Sequence, residues 1–224
     1  YIIVGAGSAG CVLANRLSAN PAIRVCLLEA GPSDHTYWIR NCNPLNMLLL
    51  MNSRSYNWGY HTEPEARTGN RGFFWPRGRA LGGSSSVNAM IYTRGHPHDY
   101  DHWAALGNPG WDYQSVLPWF RKSERQQRGA DHWHGNQGSM DVVDTNHHFP
   151  ASEAFVQACG EAGQVLNNDF NGADQEGCGF FQVTQAPAGQ RANSAYSFLD
   201  EARSRPNLTV MTGAHVTRIC FSGK

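Results

Sequence analysis

The chain is 224 residues long, enough for one large domain or parts of two, and enough to bury a substantial core. Its 18 Lys and Arg balance 18 Asp and Glu, so charge gives no case for nucleic acid or an anionic membrane surface as partner. The most apolar stretch, Leu45 to Met51, falls well short of the roughly 20 residues of a membrane-crossing helix.

Six cysteines (Cys11, Cys26, Cys42, Cys159, Cys178, Cys220) form no CxxC pair and no regular spacing, so neither a zinc site nor a disulfide framework is expected. Cys11 and Cys26 sit in apolar patterns and read as small buried hydrophobes. Unpaired thiols fit a reducing compartment, and the expectation is a cytoplasmic protein. Glycine is in excess, with 24 residues, about 11% of the chain against a usual ~7%. That much glycine is used where backbone turns tightly or lies close against something.

Tyr1 to Val4 reads as a buried strand with no leader before it. Residues 8–18 read as a helix with Val12, Leu13 and Leu17 on one face, closed by Asn20-Pro21. Residues 24–30 read as the next strand, completing a βαβ unit and calling for a parallel sheet with a right-handed crossover. Residues 32–75 read as an irregular, lid-like segment rich in Asn, Pro and aromatics. Residues 112–125 read as a helix capped by Asp112, with Pro118 as a kink. A helix over 152–163 ends at Gly163. Another over 194–204 carries Ala195, Phe198, Leu199 and Ala202 at helical spacing. Residues 208–212 and 216–221 read as strands, and Ser222-Gly-Lys224 as a turn that leads nowhere, as though the chain had been cut.

The chemistry begins at Gly5-Ala-Gly7-Ser-Ala-Gly10, between the first strand and the first helix. There Gly5 makes the tight turn, Gly7 admits a pyrophosphate to the backbone, and Gly10 lets helix and strand pack closely. The helix N-terminus offers N–H groups and a positive dipole end to phosphate. Glu29 ends the second strand, where a carboxylate can accept from ribose hydroxyls. Together these imply an adenine dinucleotide and leave NAD and FAD both open. Glu29 disfavours NADP, whose 2′-phosphate it would repel.

A second glycine block, Arg77 to Gly95, follows far downstream. Its Gly82-Gly83-Ser84-Ser85-Ser86 run reads as a helix start rich in N–H and hydroxyl donors, suited to a second contact with an anionic or carbonyl-rich group. An ordinary NAD enzyme has no need of it.

Residues 78–95 resemble the first signature of the glucose-methanol-choline (GMC) oxidoreductases nearly position for position. The likeness extends through Ala30-Gly31-Pro32, Asn57-Trp58, Thr62-Glu63-Pro64, Trp75-Pro76-Arg77-Gly78, Trp111-Asp112, His134-Gly135, Asp169-Phe170-Asn171-Gly172 and Arg205-Pro206-Asn207-Leu208. In wording the chain is most like the family's alcohol and choline dehydrogenases.

The resemblance implies an α/β fold, a Rossmann-like FAD-binding domain of three layers interrupted by part of an α+β substrate domain. Its expected bounds are 1–100 for the FAD domain, 101–190 for the partial substrate domain and 191–224 for the return. Gly5, Gly7, Ser8, Ala9, Gly10, Glu29 and Ala30 would hold the ADP half of FAD. Arg79, Gly83, Ser84, Asn88, Ala89 and Ile91 would lie toward the flavin, and the backbone of Val216 would hold the adenine. Some relatives attach FAD through a histidine just before this Asn. Here that residue is Val87, so FAD is expected to be non-covalent.

Two histidine groups, His96-Pro-His98-Asp-Tyr-Asp-His102 and Asp131-His-Trp-His134, look like metal-ligand clusters. Their spacing is read as lacking the i, i+4 helical pairing of HExxH, and no thiolate joins them. The resemblance places them in loops without metal, and no metal is expected. Trp103, Trp111, Trp119 and Phe120 read as packing residues.

The implied reaction is oxidation of a primary alcohol to an aldehyde, with hydride passing to flavin and electrons leaving to a quinone or another non-oxygen acceptor. Choline oxidation is the near alternative, and hydroxynitrile lysis, also found in the family, the more distant one. A quinone acceptor leaves peripheral contact with the inner face of a membrane open. The family's proton-handling residues, a His with a second His or Asn, lie far toward the C-terminus. No catalytic residue is therefore assigned within these 224 positions.

Overall fold

The computed structural model describes residues 1–221, and the turn expected at 222–224 lies outside the described residues. The chain forms two compact units, one of Tyr1–Ala89 with the chain from Gly189 onward, the other of Met90–Ala188.

The first unit is built on β1 (Ile2–Val4), α1 (Ser8–Ser18) and β2 (Val25–Leu28). Both strand pairings are parallel: β1 lies on β2, and β2 on the strand Leu208–Met211, with Leu27 opposite Ile3 on one side and Val210 on the other. The sheet order puts β2 in the centre, and Val25 and Leu27 are buried accordingly. α1 turns small residues inward, Gly10, Cys11, Ala14 and Ser18, together with Asn15. Small side chains let it lie close to the sheet, and at Gly10 the approach is absolute. A Cβ there would sit 1.9 Å from the Gly5 carbonyl oxygen. Buried Asn15 donates to the Phe198 carbonyl at 2.6 Å, tying α1 to the returning segment.

That returning segment is not the plain helix expected over 194–204. It opens as a π-helical turn at Ala195–Leu199 and becomes α-helical only at Asp200–Ala202. Asn193 caps the first turn, its side chain accepting the Tyr196 N–H at 2.8 Å and its carbonyl the Ser197 N–H at 2.9 Å.

Residues 32–75 hold more structure than expected. Helices run over Tyr37–Arg40 and Pro44–Asn52, the second with Asn43 accepting from Leu45 N–H and Pro44 in its first turn. Tyr60–His61 pairs antiparallel with Phe74–Trp75. Pro44–Asn52 shows no clean apolar stripe, since Leu50 is buried while Leu45, Leu48 and Leu49 are exposed. Leu50 packs with Ile39, Ala80 and Val87.

The strand expected at 216–221 does not form. After the Ala214 N–H donates to the Glu29 carbonyl at 2.8 Å, the chain finds no ladder partner among the described residues.

In the second unit, the helices Pro97–Ala105 and Tyr113–Ser123 pack through Tyr100, Tyr113 and Leu117. Asp112 caps the second through Ser115 N–H at 3.0 Å, and Pro118 lies inside it. Trp103, Trp111 and Trp119, all expected in packing, are exposed; the first two meet edge to face and the third lies beneath the Lys122 ammonium. The helix expected from 152 starts at Pro150, which brings a preset φ to its first turn, and none of its residues is buried. Among the described residues no helix is long and apolar enough to cross a membrane.

Candidate cofactor cleft

At the ends of β1 and β2 the first unit opens into a cleft of about 570 Å³. Gly5, Gly7 and Ser8 form one edge, Glu29 and Ala30 the second, Gly83 and Ser84 the third, and Ala214 to Val216 the fourth. Eight of the sequence-predicted positions therefore meet here: Gly5, Gly7, Ser8, Glu29, Ala30, Gly83, Ser84 and Val216. Val216 does so from irregular backbone rather than from a strand.

The backbone explains the fit to a dinucleotide. Gly7 has φ −76° and ψ −164°, open to any residue, yet a Cβ there would meet no atom within 4 Å. It would project into vacant space beside the first turn of α1, where a phosphate needs the amides and the positive helix end. Gly83, at φ +56°, comes so close that its own Cβ would lie 2.7 Å from the Gly7 Cα. The two glycine blocks, far apart in sequence, thus touch backbone to backbone. The turn at Gly83–Ser86 is 3₁₀ rather than the start of an α-helix.

Glu29 is 5% exposed and already works within the protein: Ala6 and Gly31 N–H groups each donate to one of its carboxylate oxygens at 2.8 Å. It pins the glycine turn to the end of β2. Each oxygen keeps a second lone pair, so ribose hydroxyls can be accepted as well. Cys11 lies behind this turn, its thiol donating to the Ala6 carbonyl, with burial pushing its pKa up to about 12. It is a packing residue, while Cys26 is only half-buried.

The remaining predicted positions stand elsewhere. Ala9 is exposed on α1 and Gly10 is the buried contact with Gly5. Asn88 and Ala89 are exposed at the end of the second glycine block, and Ile91 belongs to the second unit. Arg79 does not line the cleft itself; its guanidinium lies over the Trp58 ring, 5.3 Å from the centroid. The cation on the wall is Arg77.

Sequence reasoning missed Arg77, Trp58, Tyr60 and His215 as cleft residues. Trp58 and Tyr60 stack with 5° between their planes, and His215 meets Trp58 edge-on at 5.3 Å. Trp58 and Arg77 both fell within stretches matched to the family, but the short strand that brings Tyr60 alongside was read as irregular.

The histidines take other roles. His96 caps the helix Pro97–Ala105 in a reciprocal capping box with Asp99. His98 and His102 are not in a loop, as expected, but on that helix at i, i+4, with ring centroids 6.3 Å apart. His134 is buried between two carboxylates, Glu124 and Asp169, each at 3.0 Å. Burial alone would lower its pKa, but hydrogen bonds to Asp169 and Glu124 outweigh that and raise it to about 9. Glu124 also accepts from Arg94 at 2.6 Å, so the group forms one buried charged network. Among the described residues the one cluster with metal-ligand geometry is Asp34, His35 and Asp200. Arg40 and Arg203 each pair with both of those aspartates, so the cluster is already neutralised from within.

Comparison with known proteins agrees with this geometry. Residues 1–224 match the GMC oxidoreductase family. The chain is 51% identical to an alcohol dehydrogenase [acceptor] of Pseudomonas putida and 42% identical to the mitochondrial choline dehydrogenase of Mus musculus, in both cases along its whole length. It spans 40% and 38% of those relatives. Among solved structures, the pyridoxine 4-oxidase from Mesorbium loti superposes with a TM-score of 0.91 at 36% identity, over 99% of this chain and 43% of that one. The parallel sheet, the two glycine blocks in contact and the match across all 224 residues lead to one conclusion: the chain belongs to the GMC oxidoreductases, and is an N-terminal FAD-binding portion of that family.

Proposed function

We propose that the cleft holds FAD non-covalently and that the protein oxidises an alcohol CH–OH group, passing the electrons to an acceptor of the quinone class. The open space above Gly7, beside its backbone contact with Gly83, carries this reading. On it, the first-turn amides of α1 and the Arg77 guanidinium take the pyrophosphate. Glu29 accepts the ribose hydroxyls, and Trp58 with His215 offers an aromatic wall near the Val216 backbone for the adenine. Ser84, Asn88 and Ala89 extend toward the flavin.

Bound FAD supplies the hydride acceptor. The chain supplies binding and orientation, and no residue described here is assigned the hydroxyl proton. Val87 is buried among Ile39, Leu50 and Ala80 and carries no nucleophile, in keeping with a flavin held without a covalent bond. The likeness to the alcohol dehydrogenase [acceptor] supports an alcohol substrate and an electron acceptor, and the quinone is the part tested by the experiment below. Anaerobic mixing of the yellow holoprotein with primary alcohols is the test. Bleaching of the visible flavin band is expected, and recovery of the band on adding a quinone. A band that stays unchanged with every alcohol refutes the reading.

A further inference from the structure

Arg191 is the largest fully buried side chain in the described structure, 2% exposed, and none of its hydrogen-bond partners there is a carboxylate. Burying a guanidinium without a counter-ion is costly, and burial does depress its pKa. What it receives in return is a set of carbonyl oxygens. Nη1 donates to the Ser85 carbonyl at 3.2 Å, the Asn88 carbonyl at 2.7 Å and the Asn88 side-chain oxygen at 2.9 Å, while Nε reaches the Ile39 carbonyl at 3.3 Å.

The neighbours of Arg191 bind the same turn. Asn193 donates to Ser86 Oγ at 2.8 Å, and Ser194 N–H donates to Ser85 Oγ at 2.9 Å. The returning chain at 191–194 therefore grips the second glycine block at three of its residues. Only Arg191 reaches a side chain at the end of the block nearest the proposed flavin. By donating to the Asn88 side-chain oxygen, it holds that oxygen toward the guanidinium. The NH₂ group is the one facing away from the guanidinium.

We propose that Arg191 is a positioning residue of the FAD site, which fixes the Ser85–Asn88 backbone and the orientation of the Asn88 carboxamide. This rests on the FAD placement proposed above. Neither the fork of donors nor their fixed spacing can be reproduced by an ammonium.

The test is a thermodynamic cycle on FAD affinity, read by quenching of flavin fluorescence on titration into apoprotein. Arg191→Met and Asn88→Ala are each expected to weaken binding at least tenfold. The double variant should be no weaker than the weaker single variant, because both remove the same arrangement. Arg191→Lys should not rescue. Asn88→Asp keeps an oxygen for Arg191 but replaces the NH₂. It is expected to unfold no earlier than the parent, yet to lose at least tenfold in FAD affinity and shift the visible flavin band. Because Asn88→Asp retains an oxygen for Arg191, it keeps the test decisive even if Arg191→Met fails to fold. Arg191→Met binding FAD within threefold of the parent would overturn the proposal. So would multiplicative losses in the double variant, or Asn88→Asp binding unchanged with an unchanged spectrum. Gly7→Val separates this from failure of the placement itself. If that variant also binds FAD normally, the placement is wrong; if it alone fails, the cleft stands and only the role of Arg191 falls.

Discussion

Gly7→Ala should separate folding from cofactor binding at a single methyl group. In the apoprotein the new Cβ meets nothing within 4 Å, and φ −76° with ψ −164° suits an L-residue. Replacing glycine at a compatible position gains about 0.4–1 kcal/mol from the unfolded chain. Alanine is a poorer N-cap than glycine, which offsets roughly half a kcal/mol of that gain. Net stability should therefore stay within about 0.5 kcal/mol of the parent. The same methyl occupies the space in which a pyrophosphate would approach the amides of the turn. Losing two hydrogen bonds to a charged group costs about 3 kcal/mol at the lower end of their range, or more than 100-fold in FAD affinity. Urea unfolding of the apoprotein and a fluorescence titration with FAD measure the two quantities independently. An unfolding midpoint unchanged while FAD affinity drops is the expected pair. FAD affinity within threefold of the parent would falsify the placement of the pyrophosphate over this glycine.

Gly10→Ala should do the opposite, because its Cβ would lie 1.9 Å from the Gly5 carbonyl oxygen and neither backbone can yield cheaply. A loss of at least about 3 kcal/mol in apoprotein stability is expected, at the upper end of overpacking costs, and normal unfolding would show that α1 sits further from the sheet. Glu29→Ala strips acceptors from Ala6 and Gly31 N–H, so the apoprotein should lose about 2–4 kcal/mol before FAD is added; a loss seen only in the holoprotein would leave Glu29 as a ribose ligand alone. His134 has a folded-state pKa raised from 6.5 to about 9, so its stabilising effect is fully present below pH 6.5 and is lost as pH rises through 9. Denaturation midpoints should fall across that window, and His134→Gln should flatten the decline. Finally, acid precipitation of the holoprotein should leave the yellow colour in the supernatant, since Val87 offers no bond to the flavin; a yellow pellet contradicts this.

The parts of the fold legible in the sequence were those governed by local backbone rules. Gly5 turns the chain at φ +89° between strand and helix, a conformation that favours glycine, and Asp112 caps the helix it was read to cap. The parts missed depended on partners remote in sequence. Pro44–Asn52 has leucines on all sides, so periodicity could not mark it, although Asn43-Pro44 carried a readable start signal. Residues 216–221 have strand composition, but a strand exists only when a neighbour completes its ladder. Arg79 and Arg77 are two residues apart in an Arg-Gly-Arg run, and only the fold shows which faces the cleft and which lies over Trp58. The i, i+4 relation of His98 and His102 was present in the spacing and was overlooked because the segment was read as a loop. Arg191 gave no signal at all, since its partners are backbone carbonyls and an amide 103 to 152 positions upstream.

The touch between Gly7 and Gly83 bears on the order in which the protein acquires its cofactor. A chain made from its N-terminus presents both glycine blocks once about 90 residues have emerged. At that stage β2 still lacks Leu208–Met211, and the turn at Ser85–Asn88 lacks the grip of residues 191–194. The cleft is thus sealed by segments translated last in this stretch, after the whole of the second unit. FAD supplied to a ribosome-bound chain should be captured only after residue 216 has cleared the exit tunnel. A flavin shortage would then act on nearly finished molecules rather than on early folding steps.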